Sequence, residues 1–131
     1  MVVGGVAGFR TQGIDHVALA VNDLDASERF YAEVLGLERV VPEWDPPRVL
    51  ASSPAGGSGV ALFPAEAFGG ESTAPHILHF AFRVNREGFD AARAELEEGG
   101  VETRFSDHGA AHSIYFEDPD GHRLELTTYE V

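Results

Sequence analysis

The stretch His16-Val-Ala-Leu-Ala-Val-Asn22 decides the fold, because a close copy of it, His79-Phe-Ala-Phe-Arg-Val-Asn85, follows 63 residues later. An offset of nearly half the 131-residue chain indicates an internal repeat. In both copies bulky apolar residues alternate with the histidine and mostly small residues, which is the periodicity of a β-strand. Each copy is therefore predicted to be a strand whose bulky face is buried and whose histidine face borders a space for a ligand.

A helix is predicted after each of these strands. Asn22, Asp23 and Asp25 are candidate caps for the start of the first helix. Gly36 and Gly99, again 63 residues apart, are predicted to end the two helices. The apolar stripes predicted to face the core are Phe30, Val34 and Leu37 in the first helix and Phe89, Ala92 and Leu96 in the second.

Short strand-like runs follow each helix, at 37–44, 48–53 and 59–63 and again at 101–105, 114–116 and 124–129. Strand, helix and three strands therefore occur twice, which predicts an α+β chain made of two βαβββ modules. We assign residues 1–12 to a flexible N-terminal segment and 13–131 to a single domain, with module 1 at about 13–68 and module 2 at about 76–131. The Gly-, Ser- and Pro-rich stretches 54–59 and 69–75 are the candidate linkers, and the second joins the modules.

The composition excludes several classes of function. With 22 acidic and 9 basic side chains the net charge is −13, so the chain offers no basic surface for nucleic acid or an anionic membrane. It contains no cysteine, so any metal needs nitrogen and oxygen ligands. No apolar run approaches the roughly 20 residues that span a bilayer, and no basic start of a signal peptide is seen, so we expect a cytoplasmic protein.

The doubled βαβββ pattern, with a histidine on the first strand of each half, resembles the vicinal oxygen chelate superfamily of glyoxalases, bleomycin resistance proteins and extradiol dioxygenases. The resemblance covers residues 13–131, and its most specific stretch, Ser113-Ile-Tyr-Phe-Glu-Asp-Pro-Asp-Gly-His-Arg-Leu-Glu-Leu126, looks like the hairpin that carries the family's last metal-binding carboxylate. It implies a cupped mixed β-sheet around one divalent metal bound by His16, His79 and Glu125. Fe(II) is favoured for such a ligand set, while Mn, Zn, Ni and Co are alternatives.

An extradiol-type dioxygenase is the first function that the resemblance implies. The residues with the spacing of the ring-cleavage signature are His108, Ile114, Tyr115, Asp118, Pro119, Gly121 and Glu125, although Ser106 departs from the pattern. A catecholic or similar substrate would bind the metal through vicinal oxygens, with His108 as the general acid/base and Tyr115 as a hydrogen-bond donor to substrate. Such enzymes usually contain four βαβββ modules, twice the number in this chain.

Two other classes of function are alternatives. One is a glyoxalase-like lyase or isomerase, or a thiol transferase of the fosfomycin-resistance kind. Ala61 stands where glyoxalases have a second glutamate, and Ala18 and Phe105 stand where the transferases have a threonine and a lysine. The other class is a bleomycin-resistance-like protein that binds a small molecule without catalysis, which the complete set of metal ligands argues against.

The other three histidines, His76, His112 and His122, are predicted to be structural or solvent-facing rather than ligands. In relatives of this size the two modules pair either within one chain or across a dimer. His16 could therefore meet His79 and Glu125 of its own chain or those of a second chain. A homodimer is expected in either case, because the edges of the half-sheets need partners. The expected partners are thus a small molecule with vicinal oxygens and a second copy of the chain, but neither nucleic acid nor a membrane.

Overall fold

The computed structural model describes residues 8–54, 57–68, 74–117 and 121–131. In these residues eight strands and three helices follow one another along the chain, namely β1 (Ile14–Val21), α1 (Leu24–Leu35), β2 (Glu38–Val40), β3 (Arg48–Ala51), β4 (Gly59–Pro64), α2 (Ala65–Phe68), β5 (His76–Arg83), α3 (Arg86–Glu98), β6 (Arg104–Asp107), β7 (His112–Glu117) and β8 (Arg123–Thr128). Apart from the short α2, the order is βαβββ twice. The predicted α+β class with two βαβββ modules is confirmed.

The first compact unit is His16–His79. Its strands lie in the order β2-β3-β4-β1, in which β1 runs parallel to β4 and the other neighbours are antiparallel, so the sheet is mixed. Ala18, Val49 and Ala61 are buried in one cluster, and Trp44 and Phe63 are among the side chains packed against it. The space that the small residue Ala18 leaves on the histidine face is therefore filled by this unit's own core.

Helix α1 has the predicted ends but not the predicted buried face. Asp23 caps it by accepting a hydrogen bond from the Ala26 N–H at 3.1 Å, and Gly36 takes the left-handed conformation at its C-terminus. The prediction that Phe30 and Val34 face the core is wrong, because these side chains are 52% and 62% exposed.

Phe30 and Val34 are exposed because the polar side of α1, rather than its apolar side, contacts the sheet. The Arg48 guanidinium lies 3.2 Å from the Glu28 carboxylate and 2.6 Å from that of Asp25, whose pKa it holds below the ordinary value by hydrogen bonding and charge. Arg39 on β2 makes a further ion pair with Glu28, at 3.3 Å. The side of α1 that carries Asp25 and Glu28 is therefore held to β2 and β3.

The second compact unit is Phe80–Val131 together with the chain up to Asp15. Its strands lie in the order β5-β8-β7-β6, with β5 parallel to β8 and the other pairs antiparallel. Asn85 caps α3, and the predicted stripe of this helix is confirmed, since Phe89 and Ala92 are fully buried. They form a core with residues from β7 and β8 and the segment after β5, namely Val84, Ile114 and Leu126.

Gly99 ends α3 as its C-cap, as predicted, but the strand that follows begins later than predicted. Gly99 has φ −77°, and the left-handed conformation is taken by the next residue, Gly100, with φ +79°. The Val101 N–H then donates to the Leu96 carbonyl at 2.9 Å. Because Val101 belongs to this helix-end turn, β6 begins at Arg104 rather than at residue 101.

Several predicted segments fall partly outside the described residues. These are residues 1–7 of the flexible N-terminal segment, 55–56 and 69–73 of the linkers, and 118–120 of the hairpin turn. Within the segment 1–12, the Gly8 N–H contacts both carboxylate oxygens of Glu95, at 3.0 and 2.9 Å, and Phe9 packs on the second core. In the part of the chain that the structure describes, no helix is long and apolar enough to cross a membrane.

Candidate metal site

His16 and His79 lie next to each other in the first unit. They belong to β1 and β5, and both are half-buried. Their ring centroids are 5.7 Å apart with planes inclined by 74°, and each ring offers a nitrogen within 4.8 Å of one on the other ring. The two copies of the repeat therefore bring their histidines together within one chain. Imidazole nitrogens are good ligands for divalent iron, nickel and zinc.

Glu125 is a buried carboxylate in the second unit. It lies on β8 between Leu124 and Leu126, and only 3% of its surface is exposed. The Ser113 hydroxyl, which is also buried, donates a hydrogen bond to Glu125 Oε2 at 2.6 Å and lies 3.2 Å from Thr127 Oγ1. Burial of an ionised carboxylate is costly unless it is hydrogen-bonded and paired with a positive charge. A divalent cation is one partner that meets this requirement.

Tyr115 and His108 extend this cluster on the second unit. Tyr115 is the direct neighbour of Glu125 in the β7–β8 ladder, and its hydroxyl oxygen lies 2.9 Å from His108 Nε2. Burial and, second to it, the negative charge of Glu125 raise the pKa of Tyr115 above its ordinary value. The phenol is therefore protonated at neutral pH and able to donate a hydrogen bond.

Arg104, and not Phe105, faces the same side of the sheet as Glu125. In the β6–β7 ladder Arg104 is the neighbour of Tyr115, and its guanidinium lies 5.4 Å from the Tyr115 ring centroid. Phe105 is the neighbour of the core residue Ile114. Side chains of ladder neighbours point to the same face, so Phe105 points away from Glu125. The sequence comparison had placed Phe105 where transferases have a lysine, but the cation of β6 is one residue earlier.

Sequence reasoning missed a buried ion-pair cluster at the residue that precedes His16. Asp15 is almost fully buried, and its Oδ1 lies 2.9 Å from both Nε and Nη2 of Arg83. Tyr129 donates a hydrogen bond to Asp15 Oδ2 at 2.8 Å, and the Arg83 guanidinium lies over the Tyr129 ring. Burial, followed by the Asp15 charge, raises the pKa of Tyr129 above its ordinary value. A charged residue within each of two mostly apolar strands, Asp15 in β1 and Arg83 in β5, was the available signal.

The other histidines have local contacts. His76 Nδ1 lies 2.7 Å from the Ala74 carbonyl oxygen, and His112 Nδ1 lies 2.9 Å from Arg86 Nη1. His122 is exposed. These positions agree with structural or solvent-facing roles.

Comparisons with known proteins identify relatives over most of the chain. Glutathione transferase FosA of Serratia marcescens is 36% identical over 88% of this chain and 79% of its own length. Metallothiol transferase FosB of Staphylococcus epidermidis is 30% identical over 88% of this chain and 80% of its own length.

Two solved structures share the fold. Methylmalonyl-CoA epimerase of Mycobacterium tuberculosis superposes with a TM-score of 0.72 at 25% identity, covering 95% of this chain and 93% of that one. An extradiol ring-cleaving dioxygenase of B. fuscum superposes with a TM-score of 0.69 at 23% identity, covering 98% of this chain but only 36% of the dioxygenase. Residues 13–126 match the family model itself, so the chain belongs to the Glyoxalase/Bleomycin resistance protein/Dioxygenase superfamily.

Proposed function

We propose that the chain is a divalent-metal-dependent thiol transferase, which adds the sulfur of a small thiol to an electrophilic carbon of a second small molecule. The observation that carries this proposal is the similarity to FosA and FosB, two thiol transferases, at 36% and 30% identity over 88% of the chain. The dioxygenase superposition, at 23% identity, supports the fold alone. The thiol transferase is therefore favoured over the extradiol dioxygenase that the sequence signature suggested first.

His16, His79 and Glu125 are the proposed metal ligands. The two histidines offer nitrogens within 4.8 Å of each other in one chain, which supports a site completed without a second subunit. On β5, His79 and Ala81 point to the same face because side chains alternate. Ala81 is in turn the neighbour of Glu125 in the β5–β8 ladder. The donor set of two nitrogens and one carboxylate fits Fe(II), Mn, Zn, Ni or Co.

The proposed chemistry is an addition without a change of oxidation state. A divalent ion held by these residues supplies Lewis-acid polarisation of a substrate oxygen. With an epoxide as the electrophile, the carbon–sulfur bond forms, the carbon–oxygen bond breaks, and the thiol proton ends on the released oxygen. Tyr115, protonated and beside Glu125, is positioned to donate a hydrogen bond to that oxygen, and His108, 2.9 Å from the Tyr115 hydroxyl, to carry the proton.

Two departures from the transferase pattern bear on the electrophile. Ala18 replaces the threonine and is buried, so it offers no hydroxyl to a substrate. The chain lacks the lysine that transferases carry before the last hairpin. The face of the sheet that carries Glu125 still has a cation, because Arg104 lies over the Tyr115 ring on that face. We therefore expect the electrophile to be a small molecule that also carries an anionic group.

An extradiol-type dioxygenase remains the second candidate, on one specific observation. The hydrogen-bond contact between His108 and Tyr115 pairs a titratable ring with a phenol beside Glu125. That is the arrangement the dioxygenase signature requires of its acid/base and its substrate-binding hydroxyl. In that case the substrate would be a catechol or a similar vicinal-oxygen compound, and Fe(II) would be the metal.

One assay separates the two candidates. The protein is reconstituted anaerobically with Mn(II) or Fe(II), and thiol loss with glutathione and fosfomycin is measured beside oxygen uptake with a panel of catechols. We expect adduct formation that depends on both metal and thiol, and oxygen uptake no greater than that of the His108→Ala variant. Oxygen uptake by the wild-type protein above that background, without adduct formation, would replace the transferase by the dioxygenase.

A homodimer is the expected state, and the exposed face of α1 supports it. Phe30 and Val34 are both more than half exposed and lie four residues apart, on one side of this helix. Clustered apolar side chains on a surface mark interaction sites. The Val34→Glu variant is expected to shift the protein from dimer to monomer at micromolar concentration in light scattering, with Glu33→Gln as the control that leaves the mass unchanged. A wild-type monomer at that concentration contradicts the prediction.

A further inference from the structure

Two buried hydroxyl groups lie beside Glu125 in the second unit, and the proposed reaction uses neither of them. Ser113 on β7 and Thr127 on β8 are direct neighbours in the β7–β8 ladder, and their side chains are 0% and 2% exposed. Thr127 follows Glu125 by two residues on β8, so alternation places all three side chains on one face of the sheet. Because bulk water does not reach these hydroxyls, their hydrogen bonds must be made inside the protein.

The hydrogen bonds among these three groups run in one direction, toward the carboxylate. Ser113 Oγ lies 2.6 Å from Glu125 Oε2 and 3.2 Å from Thr127 Oγ1. A serine hydroxyl has one proton to donate and an ionised carboxylate can only accept, so the shorter contact receives that proton. The Thr127 hydroxyl is then the donor in its contact with Ser113. A chain of two hydrogen bonds therefore ends on one oxygen of Glu125.

This chain of hydrogen bonds restricts the orientation of the Glu125 carboxylate. Rotation about the last side-chain torsion of a glutamate is broad and roughly two-fold, so either oxygen can face a given direction when nothing holds the group. The hydrogen bond from Ser113 distinguishes the two oxygens by engaging Oε2. Hydrogen bonds of this kind to a ligating carboxylate orient it and contribute to metal affinity.

We propose that Ser113 and Thr127 are positioning residues, which hold Glu125 so that Oε1 is the oxygen that binds the metal. Ser113 acts on the carboxylate directly, and Thr127 acts through Ser113. A carboxylate held in this way binds through one oxygen, which leaves more coordination positions for substrate than a carboxylate that binds through both. This inference rests on the proposed function, because it requires Glu125 to be a metal ligand.

Two neighbouring threonines provide a matched pair of variants. Thr128 is also fully buried, but it points to the opposite face of β8, where its Oγ1 accepts a hydrogen bond from the Glu130 N–H at 3.2 Å. Thr127→Val and Thr128→Val therefore make the same change in volume and polarity one residue apart. Only the first of them removes a donor from the chain of hydrogen bonds that ends on Glu125.

Metal affinity is measured by calorimetric titration of Mn(II) into the metal-free full-length protein. Ser113→Ala is expected to weaken binding about tenfold, the effect typical of losing a hydrogen bond to a metal ligand. Thr127→Val should weaken it about threefold, because its hydroxyl acts through Ser113. Thr127→Ser, which keeps the hydroxyl, should restore the affinity of the wild type, and Thr128→Val should not change it.

A spectroscopic measurement separates positioning from a merely structural role. The visible absorption bands of bound Co(II) depend on the number and geometry of its ligands. In Ser113→Ala the carboxylate is released to bind through both oxygens, so these bands are expected to shift relative to the wild type. They should stay unchanged in Thr128→Val. A lower thermal midpoint in Ser113→Ala with the Co(II) spectrum of the wild type would overturn the inference.

Failure of this inference is distinguishable from failure of the proposed ligand set. If Ser113→Ala binds Mn(II) as the wild type does while Glu125→Gln loses affinity, the hydroxyls do not position Glu125 and the ligand set still stands. If Glu125→Gln binds a full equivalent of metal, the ligand set is wrong and the positioning role falls with it. Equal losses of affinity in Thr127→Val and Thr128→Val indicate a packing effect and overturn the role of Thr127.

Discussion

Substitution of Glu125 by glutamine is expected to lower the affinity for divalent metal at least about 100-fold while leaving the protein folded. Loss of a hydrogen-bond partner outside the ligand set typically costs 10–100-fold in metal affinity, so loss of a charged ligand costs at least the upper end of that range. Glutamine keeps the shape of the side chain and still accepts a hydrogen bond from Ser113 through its amide oxygen. Metal content after dialysis and calorimetric titration with Mn(II) measure the effect.

The fold should not suffer from this change in the metal-free protein. A carboxylate that is 3% exposed carries a desolvation cost that a neutral amide does not. We therefore expect the thermal midpoint of metal-free Glu125→Gln to equal or exceed that of the wild type. Glu87→Gln, in the exposed first turn of α3, is the matched control and should bind metal normally. Stoichiometric metal binding by Glu125→Gln contradicts the proposed ligand set.

The repeat was readable from sequence because its signals are local. Alternation within His16–Asn22 and His79–Asn85 specifies two strands and puts a histidine on one face of each. Asp23 and Gly36 specify the ends of α1 by the same kind of short-range chemistry, a side chain that accepts from a nearby N–H and a residue that tolerates positive φ. These features do not depend on which other part of the chain packs against them.

Features set by distant contacts could not be read in this way. The exposure of Phe30 on α1 depends on ion pairs of Glu28 with residues 11 and 20 positions later. The Asp15 cluster joins residues 68 and 114 positions apart. The face on which Arg104 lies depends on how β6 is aligned with β7. Because side chains alternate along a strand, an alignment that is wrong by one residue moves each side chain to the opposite face. Sequence spacing alone therefore pointed to Phe105 when Arg104 was the residue on the Glu125 face.

Replacement of Phe89 by alanine is expected to lower the free energy of unfolding by about 3–5 kcal/mol, the largest stability effect we predict. Phe89 is fully buried and packs in one cluster with Ile114 and Leu126. Removing its ring leaves a cavity between α3 and the strands that carry Tyr115 and Glu125. Urea unfolding followed by circular dichroism measures the change, and the loss should be independent of protein concentration.

Phe30→Ala is the matched control, because it removes the same ring from the equivalent helix of the other module. Its ring is half exposed, so within one subunit the substitution should cost less than about 1 kcal/mol. A larger loss of stability arises from a subunit interface. The measured loss must then depend on protein concentration, because association shifts apparent stability by mass action. A large, concentration-independent loss in Phe30→Ala would show that α1 buries its apolar stripe within its own subunit.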